Sequence, residues 1–151
     1  MLVDGVARTE STALLMLLAE RHPEAGFEPA RDAPERALYL QTLVYLANSL
    51  MPPFRAWFYP DEGLPQDVSR ARIEAVWDRM DAQLADGRAF ILGDRISAAD
   101  FLLTMLTRWS RNMPKPATAW PRLGAYVARM KQRPGLIETH AREGLTEWIS
   151  G

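Results

Sequence analysis

Residues 90–103 read FILGDRISAADFLL, and this stretch decides the fold. Ser97 lies three residues before Asp100, which is the S-x-x-D spacing of a capping box at the start of a helix. Ile96 and Phe101 have the spacing of a hydrophobic staple across the same cap. Both devices matter most where a helix starts away from water, because its first N–H groups then have no other partner. We therefore expect Ser97 and Asp100 to be a structural cap of a buried helix rather than a catalytic pair.

Helical periodicity continues on both sides of this segment. The helix after Ser97 is predicted over 98–113 and is central, because apolar side chains cover most of its circumference. Further helices are predicted over 36–50, over 68–85, after Trp120-Pro121, and over 136–143. Pro52-Pro53 are predicted to break the first of these, with FRAWFYP as a kinked extension. In the helix over 36–50, one apolar stripe is formed by Leu40, Leu43, Val44, Ala47 and Leu50. In the helix over 68–85, Asp78 and Asp81 are predicted to face away from the apolar stripe.

The chain begins differently, with MLVDGVARTES. Two short apolar runs flank Asp4-Gly5, which predicts a hairpin, and a helix follows over about 10–22. The next residues, 23–34, contain three prolines and a glycine and read as a linker. A lone two-stranded hairpin is marginal in water, so we interpret it as the end of a larger sheet.

Composition restricts the classes of function. The formal net charge is −1, so there is no electrostatic footprint for nucleic acid or for an anionic membrane surface. The sequence contains no cysteine, and His22 and His140 have no ligand spacing, so we expect no metal. No apolar run is long enough to span a bilayer and no signal peptide is recognisable. We expect a cytoplasmic protein.

The segment GDRISAAD resembles the helix-starting motif in the C-terminal domain of cytosolic glutathione S-transferases. Other segments resemble bacterial members of that family in the same order along the chain. They are TESTALL, PERALYLQTLVYL, the pair Arg108-Trp109 and WPRLGAYVARMKQRP. The resemblance implies a mainly α fold, a helical bundle like the family's C-terminal domain with a short N-terminal β-hairpin and helix left from a thioredoxin-like domain. It implies that residues 1–30 are that remnant and that residues 31–151 are the helical domain.

The resemblance also implies a substrate, glutathione. In the family, the pair matching Glu10 and Ser11 holds the γ-glutamyl end of glutathione at a helix N-terminus. The alternative is that Thr9 or Ser11 caps the helix and that Glu10 favours its dipole. The family's cis proline and thiol-activating residue have no match in this sequence. We therefore expect weak or absent glutathione binding and no activity from this chain.

The family binds small apolar electrophiles between two helices of this domain, which match residues 35–58 and 98–113. The candidate pocket residues there are Tyr45, Phe54, Trp57, Met105, Arg108 and Trp109. The alternative is ordinary core packing, since aromatic residues at helical spacing usually serve that role.

Three interpretations of the whole protein follow. The first is a protein like the glutathione S-transferases, which conjugate glutathione to small electrophiles, inactive as this chain and forming a homodimer. The second is a non-catalytic helical module that binds other proteins. The third is a truncated product or a misplaced start codon.

Overall fold

The computed structural model describes residues 1–60 and 64–145, and the structural statements below refer to those residues. Its elements are β1 (Leu2–Val3), β2 (Val6–Ala7), α1 (Ser11–Arg21), α2 (Arg36–Tyr45), α3 (Met51–Phe58), α4 (Gln66–Gln83), α5 (Ala98–Trp109), α6 (Pro121–Lys131) and α7 (Pro134–Arg142). The predicted mainly helical fold with a short hairpin is confirmed. The charge pair Asp61-Glu62, which we expect from its composition to lie in a solvated loop, falls outside the described residues, as does Trp148.

The hairpin is antiparallel, with Leu2 opposite Ala7 and Val3 opposite Val6. Both turn residues have positive φ, 52° at Asp4 and 76° at Gly5. That is the pattern of a type I′ turn, whose twist matches that of the two strands. The Asp4 carboxylate accepts two hydrogen bonds from Arg21, at 3.1 and 2.5 Å. This exposed ion pair ties the turn to the end of α1.

Helix α5 lies at the centre of the bundle and packs against α1, α2 and α6. Its inner face is buried and consists of Ala98, Ala99, Leu102, Leu103 and Leu106. Around it, the large side chains of Tyr39, Trp77 and Tyr126 are also fully buried. The apolar circumference seen in the sequence therefore corresponds to the most enclosed helix, although this helix ends at Trp109 rather than at residue 113.

The Asp100 carboxylate connects three parts of the chain. It forms the capping box with Ser97, accepting the Ser97 N–H at 2.8 Å and the Ser97 hydroxyl at 2.8 Å. Its other oxygen accepts the Ile91 N–H at 2.9 Å and the Tyr126 hydroxyl at 3.1 Å. Burial raises the pKa of Asp100 above its ordinary value, although these four hydrogen bonds oppose the rise.

The linker is attached to the start of the same helix. The Phe27 carbonyl accepts the Ala98 N–H at 2.8 Å, so the linker supplies a partner for one of the first N–H groups of α5. The Phe27 ring packs edge-on against Phe101 with centroids 5.0 Å apart. Nearby, Glu28 and Arg36 form an ion pair at 2.8 Å. The linker therefore holds the hairpin and α1 against the helical bundle.

The predicted break at Pro52-Pro53 is wrong, and the predicted extension after it is helical as far as Phe58. A π-helical segment, Leu46–Leu50, follows α2 directly and leads into α3, in which Pro52 and Pro53 occupy the first turn. In this segment the Met51 N–H donates to the Leu46 carbonyl, five residues back. Because the helix is continuous here, Pro52 and Pro53 each lack the N–H that an interior residue donates one turn back, and the wider π-helical turn lies directly before them. The chain therefore stays helical through Phe58.

The buried stripe of this long helical region also differs from the predicted one. Tyr39, Leu43, Leu46, Leu50 and Phe54 are fully buried, whereas Val44 is 53% exposed. The buried residues recur every three or four positions from α2 to α3, so the stripe continues across the π-helical segment.

Helix α4 contributes two acidic residues to the start of α6. Asp81 is buried, which corrects the expectation that it faces away from the apolar stripe, whereas Asp78 is exposed as expected. Asp78 accepts the Trp120 indole N–H at 2.6 Å. Asp81 accepts the backbone N–H groups of Arg122 and Leu123 at 2.8 and 2.9 Å, and the Arg122 guanidinium at 2.9 Å. A carboxylate at this position satisfies the first N–H groups of α6 and suits its dipole.

Within residues 1–60 and 64–145, none of the helices is both long enough and apolar enough to cross a bilayer.

Removing the Asp100 carboxylate should destabilise the chain more than removing the Ser97 hydroxyl. Asp100→Ala leaves buried donors without an acceptor, and we expect a loss of about 3–4 kcal/mol in the free energy of unfolding. Ser97→Ala should cost about 1–2 kcal/mol, as is usual for a helix cap. Urea denaturation followed by far-ultraviolet circular dichroism measures both. Asp67→Ala, at an exposed first-turn position of α4, is the control and should cost less than about 1 kcal/mol. Equal losses in the free energy of unfolding for Ser97→Ala and Asp100→Ala would contradict the role of the Asp100 carboxylate as an acceptor for Ile91 and Tyr126.

Asp81→Asn should change how stability depends on pH. Burial of Asp81 opposes ionisation, but hydrogen bonds from Leu123 and Arg122 outweigh it and hold the pKa of the carboxyl below its ordinary value. Its stabilisation is therefore complete above the ordinary aspartate pKa of about 3.9 and is lost as pH falls through the lower folded-state pKa. We expect the wild type to exceed the variant by about 1–2 kcal/mol near neutral pH, and the gap to close in acid.

The measurement is a series of urea titrations from neutral pH down into acid. Asp67→Asn, at an exposed position of the same helix, is the matched control and should change the free energy of unfolding near neutral pH less than Asp81→Asn does. A gap between wild type and Asp81→Asn that stays constant over the whole pH range would refute the assignment.

Candidate functional site

The N-terminus of α1 has an unusual backbone. Glu10 precedes the helix with φ 62° and ψ 92°, and its side chain makes no capping hydrogen bond. Ser11 is the first residue of the helix, so the N-cap position belongs to Glu10 rather than to Thr9 or Ser11. A non-glycine residue with positive φ costs about 1–3 kcal/mol and persists only where the surroundings impose it. Such strain is often found where the chain presents groups to a ligand.

Three neighbouring residues present polar groups at this helix start. Glu10 and Ser11 are exposed. The Thr12 hydroxyl is buried and has no hydrogen-bond partner within the described residues. The first N–H groups of a helix and nearby hydroxyls suit a carboxylate, and the Glu10 carboxylate suits an ammonium group. The arrangement is therefore suited to a ligand that carries both charges on neighbouring atoms, such as the α-amino acid end of a peptide.

An aromatic cluster lies between α3 and α5. Phe54 is fully buried, and its ring meets Trp109 edge-on with centroids 5.6 Å apart. Phe58 stacks on Phe54 at 5.8 Å and lies 6.3 Å from Trp109, with 49% of its surface exposed. Phe58 was missed by sequence reasoning, although it lies four residues after Phe54 and so on the same helical face. It gives the cluster a solvent-facing ring.

The remaining predicted pocket residues lie in three different places. Met105 is 40% exposed and shares one face of α5 with Arg108 and Trp109, since the three are spaced by three and four residues. Tyr45 lies elsewhere, because its ring packs against the Arg79 guanidinium of α4 at 4.2 Å. Trp57 is partly buried against the core. The structure thus brings Phe54 and Trp109 together and directs Tyr45 towards α4.

Among the described residues there is no group of three or more histidine, aspartate or glutamate side chains that could hold a metal ion. The Nδ1 atom of His22 lies 3.1 Å from Glu24, and that of His140 lies 2.8 Å from the Leu136 carbonyl.

Glycine at position 10 should be more stable than alanine, by more than the usual preference for glycine over alanine at an N-cap. Glycine adopts φ 62° without steric cost, whereas alanine keeps the Cβ that causes the strain. We expect Glu10→Gly to exceed Glu10→Ala by about 1 kcal/mol in the free energy of unfolding, measured in urea. The matched pair Glu35→Gly and Glu35→Ala, at the exposed N-cap of α2 with φ −77°, should show a smaller difference. Equal differences at positions 10 and 35 would argue against strain at Glu10.

Comparison with known proteins agrees with this architecture. Residues 28–129 match the family model described as glutathione S-transferase, C-terminal domain. Glutathione S-transferase GstA of Escherichia coli is 27% identical over 148 residues, which cover 96% of this chain and 72% of that protein. A glutathione transferase from Methylococcus capsulatus superposes with a TM-score of 0.85 at 27% identity, over 94% of this chain and 70% of that one.

A further solved structure is a sphingomonad glutathione S-transferase in complex with glutathione. It has a TM-score of 0.81 at 27% identity and covers 96% of this chain and 73% of that one. The family model spans more than half of the present sequence, and relatives in sequence and in structure agree with it over nearly the full chain. The chain therefore belongs to the glutathione S-transferase family.

Proposed function

We propose that this chain supplies the γ-glutamyl contact and the electrophile-binding surface of a glutathione S-transferase. The reaction is the attack of the glutathione thiolate on the electrophilic carbon of a small apolar substrate. The observation that carries the proposal is the strained α1 N-terminus, where Glu10 has φ 62° and makes no capping bond. Its first N–H groups and exposed side chains fit the zwitterionic end of glutathione. The reaction itself is inferred from membership of the family.

Each group at this helix start has a distinct role in the proposal. The Glu10 carboxylate receives the α-ammonium group of glutathione. The Ser11 hydroxyl and the first N–H groups of α1 donate hydrogen bonds to its α-carboxylate. These are charge-assisted hydrogen bonds, which are the stronger kind, but at an exposed site water competes with them.

The electrophile lies against the face of α5 that carries Met105, Arg108 and Trp109, next to Phe58 of α3. The exposed ring of Phe58 and the half-exposed thioether of Met105 offer apolar contact to the substrate. Phe54, which is fully buried, positions the rings of Phe58 and Trp109.

Glutathione binding to the chain alone is expected to be weak. A few charge-assisted hydrogen bonds at an exposed helix start contribute about 2–3 kcal/mol. Immobilising a flexible tripeptide costs several kcal/mol, so the dissociation constant is millimolar or higher. We therefore propose that the 151-residue chain by itself has no measurable conjugating activity.

We further propose that two copies of the chain pair in the cytoplasm. Leu2, Val6 and Leu18 are 73%, 49% and 40% exposed on the hairpin and α1, and these elements offer apolar surface to another layer. Light scattering over a range of concentrations tests this, and a monomer throughout would refute it. The same exposed residues support a second candidate function, a non-catalytic helical module that binds a protein partner.

Titration calorimetry with glutathione and S-hexylglutathione tests the proposed site. The hexyl compound should bind at least tenfold more tightly, because its chain adds apolar contact along α3 and α5. Ser11→Ala should weaken both ligands by a similar factor, whereas Phe58→Ala should weaken only S-hexylglutathione. Thr139→Ala, an exposed position on α7, is the control and should change neither.

Three outcomes would each contradict a part of the proposal. Micromolar glutathione binding that Ser11→Ala abolishes, or turnover of chlorodinitrobenzene above the uncatalysed rate, would show a complete site in this chain. Equal affinity for glutathione and S-hexylglutathione would show that the proposed surface on α3 and α5 does not bind the hexyl chain.

A further inference from the structure

The connection between the hairpin and α1 is very short. Pairing in the hairpin extends one residue beyond the strands, because the Arg8 N–H donates to the Met1 carbonyl at 2.9 Å and the Met1 amino group donates to the Arg8 carbonyl at 3.1 Å. Helix α1 begins at Ser11, so only Thr9 and Glu10 lie between the last paired residue and the first helical one. The chain therefore has two residues in which to pass from the hairpin into the helix.

The other end of the hairpin is attached to the other end of α1. Asp4 lies in the hairpin turn and Arg21 in the last turn of the helix, and they form a bidentate ion pair at 3.1 and 2.5 Å. Arg21 lies ten residues after Ser11, which is about 15 Å along the helix axis. The hydrogen bond from Arg21 holds the pKa of Asp4 below its ordinary value, so the pair is charged at neutral pH. The hairpin is thus tied to α1 at both ends.

These two attachments account for the backbone conformation of Glu10. A hairpin that was free at its turn could rotate about the connection and let Glu10 relax to negative φ. With the turn held at Arg21, the direction of the hairpin relative to α1 is fixed, and Glu10 enters the helix with φ 62°. Such a conformation persists in a non-glycine residue only where the surroundings impose it.

The ion pair does not hold the hairpin alone. Exposed ion pairs contribute little to stability in general, but bidentate contact between arginine and a carboxylate is among the stronger geometries. Val3, on the strand before the turn, is only 8% exposed and anchors the hairpin by its burial. Loss of the ion pair should therefore loosen the turn without unfolding the hairpin.

We propose that the pair Asp4–Arg21 is a clamp that imposes the strained backbone at Glu10 and so positions the γ-glutamyl contact. Asp4 and Arg21 are positioning residues, because they lie at the far end of α1 and act through the hairpin. Without the clamp, Glu10 relaxes, and its carboxylate leaves the place where it receives an ammonium group. The effect on the ligand rests on the proposed function, whereas the effect on the backbone does not.

The stability difference between Glu10→Gly and Glu10→Ala measures the strain without any ligand. The advantage of glycine in the urea midpoint should fall by at least about half in backgrounds that carry Asp4→Asn or Arg21→Gln, because the strain is released. Asp4→Asn removes the charge and keeps a good turn, since Asn-Gly is preferred in type I′ turns. Glu138→Gln breaks an exposed ion pair with Arg142 on α7 and is the matched control, which should leave the advantage unchanged.

Calorimetry with S-hexylglutathione tests the positioning role. Asp4→Asn and Arg21→Gln should each weaken binding at least about threefold, and the double variant no more than either, because all three remove the same interaction. A direct effect of charge on the ligand would have opposite signs in the two variants and would be screened over the length of α1. Arg21→Lys keeps the charge without the bidentate geometry, so its affinity should lie between those of the wild type and Arg21→Gln.

Distinct outcomes overturn the two halves of the proposal. An undiminished advantage of glycine in both backgrounds would overturn the clamp. Opposite shifts in affinity for Asp4→Asn and Arg21→Gln, or losses that add in the double variant, would overturn the positioning role. Absence of S-hexylglutathione binding to the wild type would contradict the proposed function and the positioning role with it, whereas the urea comparison would still decide on the clamp. Circular dichroism of each variant verifies that the helical content is retained.

Discussion

The buried Asp100 carboxylate is the interaction on which the rest of the structure depends. One oxygen holds the start of α5 through both the N–H and the hydroxyl of Ser97. The other holds the loop at Ile91 and the helix α6 through Tyr126. A buried carboxylate costs free energy unless its hydrogen bonds are satisfied, and here four donors converge on it. Two of those donors come from outside the cap, so a local motif also fixes the packing of the bundle.

The local part of this network can be predicted from sequence, and the distant part cannot. Ser97 and Asp100 are three residues apart, so their spacing alone indicates the cap. Tyr126 is 26 residues from Asp100, and no periodicity relates the two. The same limit applies to Asp81, which an amphipathic pattern places on the polar face of α4 although it is only 6% exposed and caps α6. Pattern reasoning counts an aspartate as solvent-facing unless the partner is near in sequence.

The candidate site divides in a similar way. Positions Phe54 and Trp109 lie on helices that periodicity identifies, and their rings meet in the structure. Tyr45 is on the same long helical region but points to Arg79, because the buried stripe runs through Tyr39, Leu43 and Leu46 instead. The strain at Glu10 has no sequence signal, since any residue type can precede a helix and only the backbone angles reveal it. The ion pair that ties the hairpin turn to α1 joins residues 17 apart along the chain, which no local pattern indicates.

The starts of α5 and α6 differ in one further respect. This is the distance along the chain between the capping carboxylate and the groups that it caps. The cap of α5 is local and can form as soon as its first turn does. The cap of α6 comes from Asp81, 41 residues before Arg122, so a long loop must close before it exists. This difference implies an order of folding in which α5 belongs to the nucleus and α6 docks later, once α4 is in place to receive it.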